Sequence, residues 1–193
     1  MDDLKRKITH ISIKLFTQQG IRNTSMDNIA RSLSISKRTV YEVFRTKKEL
    51  LKECIRTEVS HYINELNKKT ERSYPLQSIL IINSLVHKQL KNISEIFLNE
   101  VIADRQLRYT AIRKYCIPLH RMFSELVEKA KEHNLIKKDI ATQNITAFLK
   151  YIFLFNIQKM SPAVTHNVFQ HFLQTYLSAV CTPKGTMQIE KAY

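Results

Sequence analysis

Glycine occurs only twice in 193 residues, at Gly20 and Gly185, and proline four times. A chain this poor in turn formers is not cut into many short strands, so long helices are expected. Cysteine is scarce too: Cys54, Cys116 and Cys181. Three is an odd number, and no two lie at the spacing of a metal or redox pair. They read as reduced, partly buried thiols of a cytosolic protein. The longest apolar stretch, Ala147 to Ile157, is interrupted by Lys150 and falls far short of the ~20 residues of a membrane span. The first seven residues, Met1 to Lys7, contain no apolar core of a signal peptide. A cytoplasmic protein with no membrane partner is expected.

Catalytic and metal-binding patterns are missing as well. The seven histidines form no HExxH, and His166 and His171 stand five apart, off one helical face. There is no Gly-rich phosphate loop, and no Ser/His/Asp or Cys/His set stands out. Neither an enzyme nor a metal or cofactor site is expected.

What the chain does have is positive charge and enough apolar residues for a core. The formal net charge is +14, and 44% of residues are hydrophobic. Residues 1–50 hold 11 Lys/Arg against 5 Asp/Glu, and the other 143 hold 20 against 12. The positive charge is densest at the N-terminal end. It favours a polyanion, either nucleic acid or an anionic membrane surface.

Apolar spacing predicts a helix over 2–19, with Leu4, Ile8, Ile11, Leu15 and Phe16 on one stripe and Gly20 ending it. Three helix starts follow in quick succession. Thr24 to Asp27 reads as a capping box, Ser36 as an N-cap, and Thr46 to Glu49 as a second box. They imply two short helices, about 26–33 and 37–43, and a longer one beyond 46. The polar stretch Asn67 to Ser73 before Pro75 is the candidate boundary. Further helical patterns run over about 76–91, 93–104, 106–132, 141–157 and 162–181, with a kink or break expected near Pro118. Asn134 to Asp139 reads as a polar connector.

The two short helices match a helix-turn-helix. Ala30 suits a close helix crossing, and Ile29, Leu33, Ile35, Val40 and Val43 can fill the small core between them. The second short helix is then free to enter a major groove, N-terminal end first. Its start, Ser36, Lys37, Arg38 and Thr39, supplies two cations and two hydroxyls for phosphates and base edges. Tyr41 and Lys47 can reach phosphates, and Thr24 and Ser25 open the first short helix with hydroxyls.

The residues Leu15, Phe16, Gly20, Thr24 to Ala30, Ile35 to Lys37, Thr39 to Tyr41, Phe44, Lys47 and Glu49 to Leu51 together resemble the N-terminal domain of the tetracycline-repressor (TetR) family. The resemblance covers about the first 50 residues. It implies an all-α homodimer of about nine helices per chain. Residues 1–50 would be the DNA-binding domain, with a linking helix over 47–70, and 71–193 the ligand-binding and dimerisation domain. The implied partners are double-stranded, palindromic operator DNA and a small-molecule inducer, and dimerisation would use the last two long helices. Two residues depart from the family pattern. Ser34 stands where glycine is usual, and Glu42 where an aromatic or histidine is frequent.

In the C-terminal part, His87, Phe97, Tyr115, Phe123, Phe148, Tyr151 and Phe155 are candidate pocket residues, aromatic bodies with a few polar groups. Asn99 and Gln158 are further polar groups on apolar helices. The segment Ile145 to Ile157 is apolar nearly all round and so needs cover on every face. A second subunit is the economical cover, with Phe153, Phe169, Phe172, Leu173 and Tyr176 at the interface. The departures at Ser34 and Glu42 leave open a second reading, a small-molecule-binding helical protein whose DNA head is weakened. The charge alone leaves open a membrane-surface or nonspecific nucleic-acid binder.

Overall fold

The computed structural model describes residues 2–157 and 166–190. The fold is all-α. Eleven α-helices are present among the described residues: α1 (Asp2–Gln19), α2 (Met26–Ser32), α3 (Lys37–Val43), α4 (Lys47–Thr70), α5 (Pro75–Lys91), α6 (Glu95–Ala103), α7 (Arg105–Ala111), α8 (Ile117–Glu132), α9 (Thr142–Ile157), α10 (His166–Val180) and α11 (Pro183–Glu190). A π turn, Ile112–Cys116, joins α7 to α8. None of these helices is long and apolar enough to cross a membrane.

The helix count exceeds the expected nine for two physical reasons. The segment expected as one helix over 106–132 is broken. Pro118 has no N–H to give to the preceding turn, and the chain answers with the π turn and a fresh start at Ile117. The second reason is α11, which was not foreseen. The expected helix ended at 181 with nothing read beyond it, but Pro183 sits at the first position of α11, where its missing N–H costs nothing. Thr182 caps it, its Oγ1 accepting from the Gly185 N–H at 3.2 Å. The first four residues of the expected 162–181 helix lie outside the described residues.

The chain forms two compact units. The first comprises residues 1–63 and 91–116. Its core gathers Ile8 and Phe16 of α1, Met26, Ile29 and Ala30 of α2, Val40 of α3, Phe44, Leu50, Leu51 and Cys54 of α4, Val101 of α6 and Leu107 of α7. Of the expected α1 stripe, Ile8 and Phe16 lie in this core and Leu4 and Leu15 pack against it, so they share it with helices some 90 residues away in sequence, whereas Ile11 is not part of it. Burial pushes the Cys54 thiol well above the usual thiol range, which leaves it inert.

The second unit comprises residues 64–90 and 117–193. Leu76, Ile79, Ile82 and Val86 of α5, Leu119, Phe123 and Val127 of α8, Ile145 and Leu149 of α9, and Leu173 and Leu177 of α10 are all buried. The connector after α8 is less polar than expected, because Leu135 and Ile136 are buried in it. It docks by backbone bonds on the α10–α11 connector. Lys137 N–H donates to Val180 O at 3.0 Å, and Thr182 N–H donates to Leu135 O at 2.9 Å.

Candidate nucleic-acid interface

The reading head is built from the α1–α2 turn, the α2–α3 turn and the start of α4. Gly20 ends α1 at φ +89°, its N–H donating to Phe16 O at 2.9 Å. The cap of α2 is Ser25, one residue later than expected. Its Oγ accepts from Asn28 N–H at 3.0 Å, and Asn28 Oδ1 accepts the Ser25 N–H in return at 2.9 Å. Asn28 here does what the glutamate of the usual capping box does. Thr24 is fully buried, and its hydroxyl donates to Gly20 O at 2.8 Å. Expected at a phosphate, the Thr24 side chain instead closes the α1–α2 turn, and Ser25 keeps the exposed hydroxyl.

The α2–α3 turn is a Schellman closure. Ile35 N–H donates to Ala30 O at 3.1 Å, and Ser34 N–H to Arg31 O at 3.0 Å. Ser34 occupies the left-handed region, at φ +54°. The turn therefore keeps the geometry that glycine would adopt freely, at a conformational cost of about 1 kcal/mol. Ser34→Gly is expected to stabilise the protein by about that amount, which corresponds to a rise of roughly 2–4 °C in Tm for a chain of this size. A thermal melt checks it, and an unchanged or lower Tm would show that Ser34 carries no strain.

Ala30 and Val40 are buried at the helix crossing, as is Ile29. Leu33, Ile35 and Val43 are only partly buried around it. With those residues turned inward, α3 presents the others outward. Its cap is Ser36, whose Oγ accepts from Thr39 N–H at 3.0 Å and lies 2.8 Å from Thr39 Oγ1. Lys37, Arg38 and Tyr41 are exposed and Thr39 is half-buried. Arg38 does not stand free: its Nε donates to Glu42 Oε1 at 3.0 Å. On α2, Arg31 pairs likewise with Asp27.

Lys47 opens α4 half-buried. Burial lowers its pKa, and the Glu100 carboxylate opposes that shift. The second capping box is present in altered form: Glu49 N–H donates to Thr46 Oγ1 at 3.1 Å, and the Glu49 carboxylate accepts from Arg45 N–H at 3.1 Å.

Sequence reasoning missed what holds the α1–α2 turn from outside. Glu100 of α6 accepts from the backbone N–H of Ile21 and, at 3.1 Å, from that of Arg22. The Arg22 guanidinium lies 3.8 Å from the same carboxylate. At the N-cap of α6, Ser94 N–H donates to Thr17 O at 2.7 Å. Nothing in the local sequence marks a carboxylate 79 residues away as a partner.

The candidate pocket residues do not fall in one unit. Phe97 and Tyr115 belong to the first, and His87, Phe123 and Phe148 to the second. Phe97 packs against the core of the reading unit. Tyr115 stacks on Tyr62 with ring centroids 5.6 Å apart, and burial raises its hydroxyl pKa. Phe123 is a buried core residue of the second unit. One turn before His87 on α5, and unforeseen, Asn83 is buried with its Nδ2 meeting no acceptor among the described residues. The side chains of Tyr151 and Phe155 lie outside the described residues.

Of the expected interface residues, Phe153 and Phe169 have side chains outside the described set. Leu173 is fully buried in its own chain, so it faces inward and offers no surface to a second copy. Phe172 is 59% exposed. It stacks on Phe148 at 5.8 Å, and Phe148 in turn stacks on Tyr176 at 3.5 Å. An exposed aromatic on a stacked cluster is a poor surface for an isolated chain.

Two short helices joined by a tight left-handed turn, with a basic, outward-facing second helix, make this a helix-turn-helix protein. The family of bacterial regulatory proteins named for tetR matches residues 8–54. The transcriptional regulator AcrR of Shigella flexneri is 22% identical over 159 residues, 77% of this chain and 74% of that protein. The regulator YhgD of Bacillus subtilis is 31% identical over 93 residues, covering 48% of this chain and 46% of that protein. A transcriptional regulator from Saccharomonospora viridis, crystallised with choline, shares the fold with a TM-score of 0.82 at 13% identity, covering 94% of this chain and 100% of that one. The segment 8–54 is thus a helix-turn-helix domain of the TetR type.

Proposed function

We propose that the protein is a dimeric repressor that binds a palindromic operator through α3 and is released by a small-molecule inducer. The observation that carries the reading is the start of α3, where exposed Ser36, Lys37 and Arg38 and half-buried Thr39 lie beside a helix crossing closed by Ala30 and Val40. Lys37 and Lys47 are the phosphate anchors, with Ser25 and Tyr41 supplying hydroxyls. Phosphate contacts of this kind dominate affinity and make binding fall steeply with salt.

Dimerisation is supported by the exposed Phe172 on the Phe148–Tyr176 cluster of α9 and α10. Inducer binding is assigned to the helices beyond residue 71. There the buried amide of Asn83 would donate to an acceptor on the inducer, which would offset the cost of an unmade hydrogen bond. Binding shifts the population between two dimer shapes with different spacing of the reading heads.

The test is selection of random duplex DNA by the whole protein, followed by the double substitution Lys37→Ala/Arg38→Ala. A palindrome is expected to be enriched. The double variant is expected to lose at least ~100-fold in affinity for it, from two lost charge-assisted contacts, while light scattering still gives a dimer. Enrichment of no palindrome would favour the weakened-head reading that Ser34 and Glu42 suggest. Unchanged affinity of the double variant would remove α3 as the reader, and a monomer at micromolar concentration would remove the dimer.

A further inference from the structure

We propose that Glu42 is a specificity-determining residue, which by holding Arg38 directs its guanidinium to a guanine in each operator half-site. The inference rests on α3 being the reading helix. Glu42 is the only acid on α3, and its carboxylate takes the Arg38 Nε–H at 3.0 Å while the two side chains remain 59% and 89% exposed. An exposed pair one helical turn apart adds little stability. Its consequence is direction.

Consider what Arg38 does as α3 enters a groove. Double-stranded DNA carries about one negative charge per 1.7 Å of axis. If Arg38 swung to a phosphate, Glu42 would face that charge without a counter-ion. Keeping the pair neutralises Glu42 and costs no rearrangement on docking. A guanidinium has five N–H donors in a planar fork. With Nε committed, the donors left to face outward are those of Nη1 and Nη2, side by side. Two parallel donors match the two adjacent acceptors O6 and N7 that guanine presents in the major groove. Adenine offers one acceptor beside a donor, so it meets the same fork with a clash of donors. The pair also orders a long side chain before DNA arrives, which lowers the entropic cost of the contact. Lys37, with no acid partner on α3, is left to the phosphates.

The experiment measures binding of the full-length wild type, Glu42→Ala and Arg38→Ala to the selected operator and to variants in which each half-site base pair is replaced in turn. In the wild type, replacing one G·C pair is expected to cost about 10- to 100-fold, the range for a bidentate contact. In Glu42→Ala that penalty is expected to fall below about 3-fold at the same pair. Affinity for unrelated duplex is expected to rise, because a repelling carboxylate has gone. Arg38→Ala should lose the same discrimination at the same pair, and the double variant should lose no more than either single one.

An undiminished penalty in Glu42→Ala overturns the proposal. So does a loss that maps to a different base pair from that of Arg38→Ala, or two losses that add, since Glu42 would then be reading a cytosine amino group itself. Failure of the wild type to select any duplex overturns the repressor reading and this one with it. Circular dichroism of the variants keeps a folding defect from passing as a loss of specificity.

Discussion

Gly185→Ala is expected to lower Tm by roughly 4–8 °C, although helix propensity alone predicts the opposite. Gly185 lies within α11, where alanine is favoured over glycine by up to ~1 kcal/mol. A Cβ there, however, would stand 2.0 Å from the carbonyl oxygen of Leu135 and 2.9 Å from its carbon. The obstacle is backbone, and that backbone is pinned. Leu135 N–H donates to Ala130 O at 2.8 Å, Leu135 O accepts from Thr182 N–H, and Ile136 bridges Cys181. Leu135 and Ile136 are themselves buried. With no side chain free to rotate away, α11 must lift and expose Ile189, which is 1% accessible. Overpacking against rigid backbone costs about 3 kcal/mol or more, and each kcal/mol moves Tm by ~2–4 °C in a chain of this length. Net of the propensity gain, about 2 kcal/mol of destabilisation remains. A thermal melt decides, and a Tm within 2 °C of wild type would show that α11 does not pack on the α8–α9 connector.

The scarcity of glycine was the first feature of the sequence, and the fold explains why two remain. One is required by a positive φ and a close approach, the other by a close approach alone. The sequence marks Gly20 as the end of a helix. It could not mark either glycine as a contact, because Ile96 and Leu135 are far from them along the chain. The helix-turn-helix was readable because all its determinants are local: the α1 stripe, Ala30 at the crossing, Ser36 at the cap and the apolar spacing through Val40. The errors were also local. Thr24 and Ser25 both have hydroxyls, and only packing decides which caps α2 and which is buried against α1. Leu173 shared the apolar rhythm of α10 with Phe172 and Tyr176, and periodicity cannot tell the face that meets its own chain from the face left exposed. The grip of α6 on the α1–α2 turn was invisible for a different reason. Glu100 sits on an apolar helix with no partner at helical spacing, and its partners are backbone amides, which carry no sequence signal.

Gly20→Ala is expected to destabilise the protein by about 2 kcal/mol and to weaken operator binding, and the comparison with Ser34→Gly separates the causes. Both positions hold the left-handed conformation, at φ +89° and +54°. The conformational term should therefore be of similar size at both, ~1 kcal/mol, with opposite sign: lost at Gly20, gained at Ser34. What Gly20 has and Ser34 lacks is α6. A Cβ at Gly20 would meet Ile96 Cγ2 at 2.5 Å and the Glu100 carboxylate at 3.0 Å. Ile96 is half exposed and can turn outward, so the added cost is about 1 kcal/mol, at the low end for overpacking. The displacement falls on Glu100, the group that fixes Ile21 and Arg22. Their amides lead to Ser25, the exposed cap of α2 proposed to meet a phosphate. Hydrogen exchange at the Ile21 and Arg22 amides is expected to quicken in Gly20→Ala and to stay unchanged in Ser34→Gly. If the loss at Gly20 only equals the gain at Ser34, α6 adds nothing to the cost, and the turn owes its shape to α1 and α2 alone. A loss that exceeds it, with faster exchange at those two amides, makes α6 a structural part of the reading head, 70 residues beyond α2 in the chain.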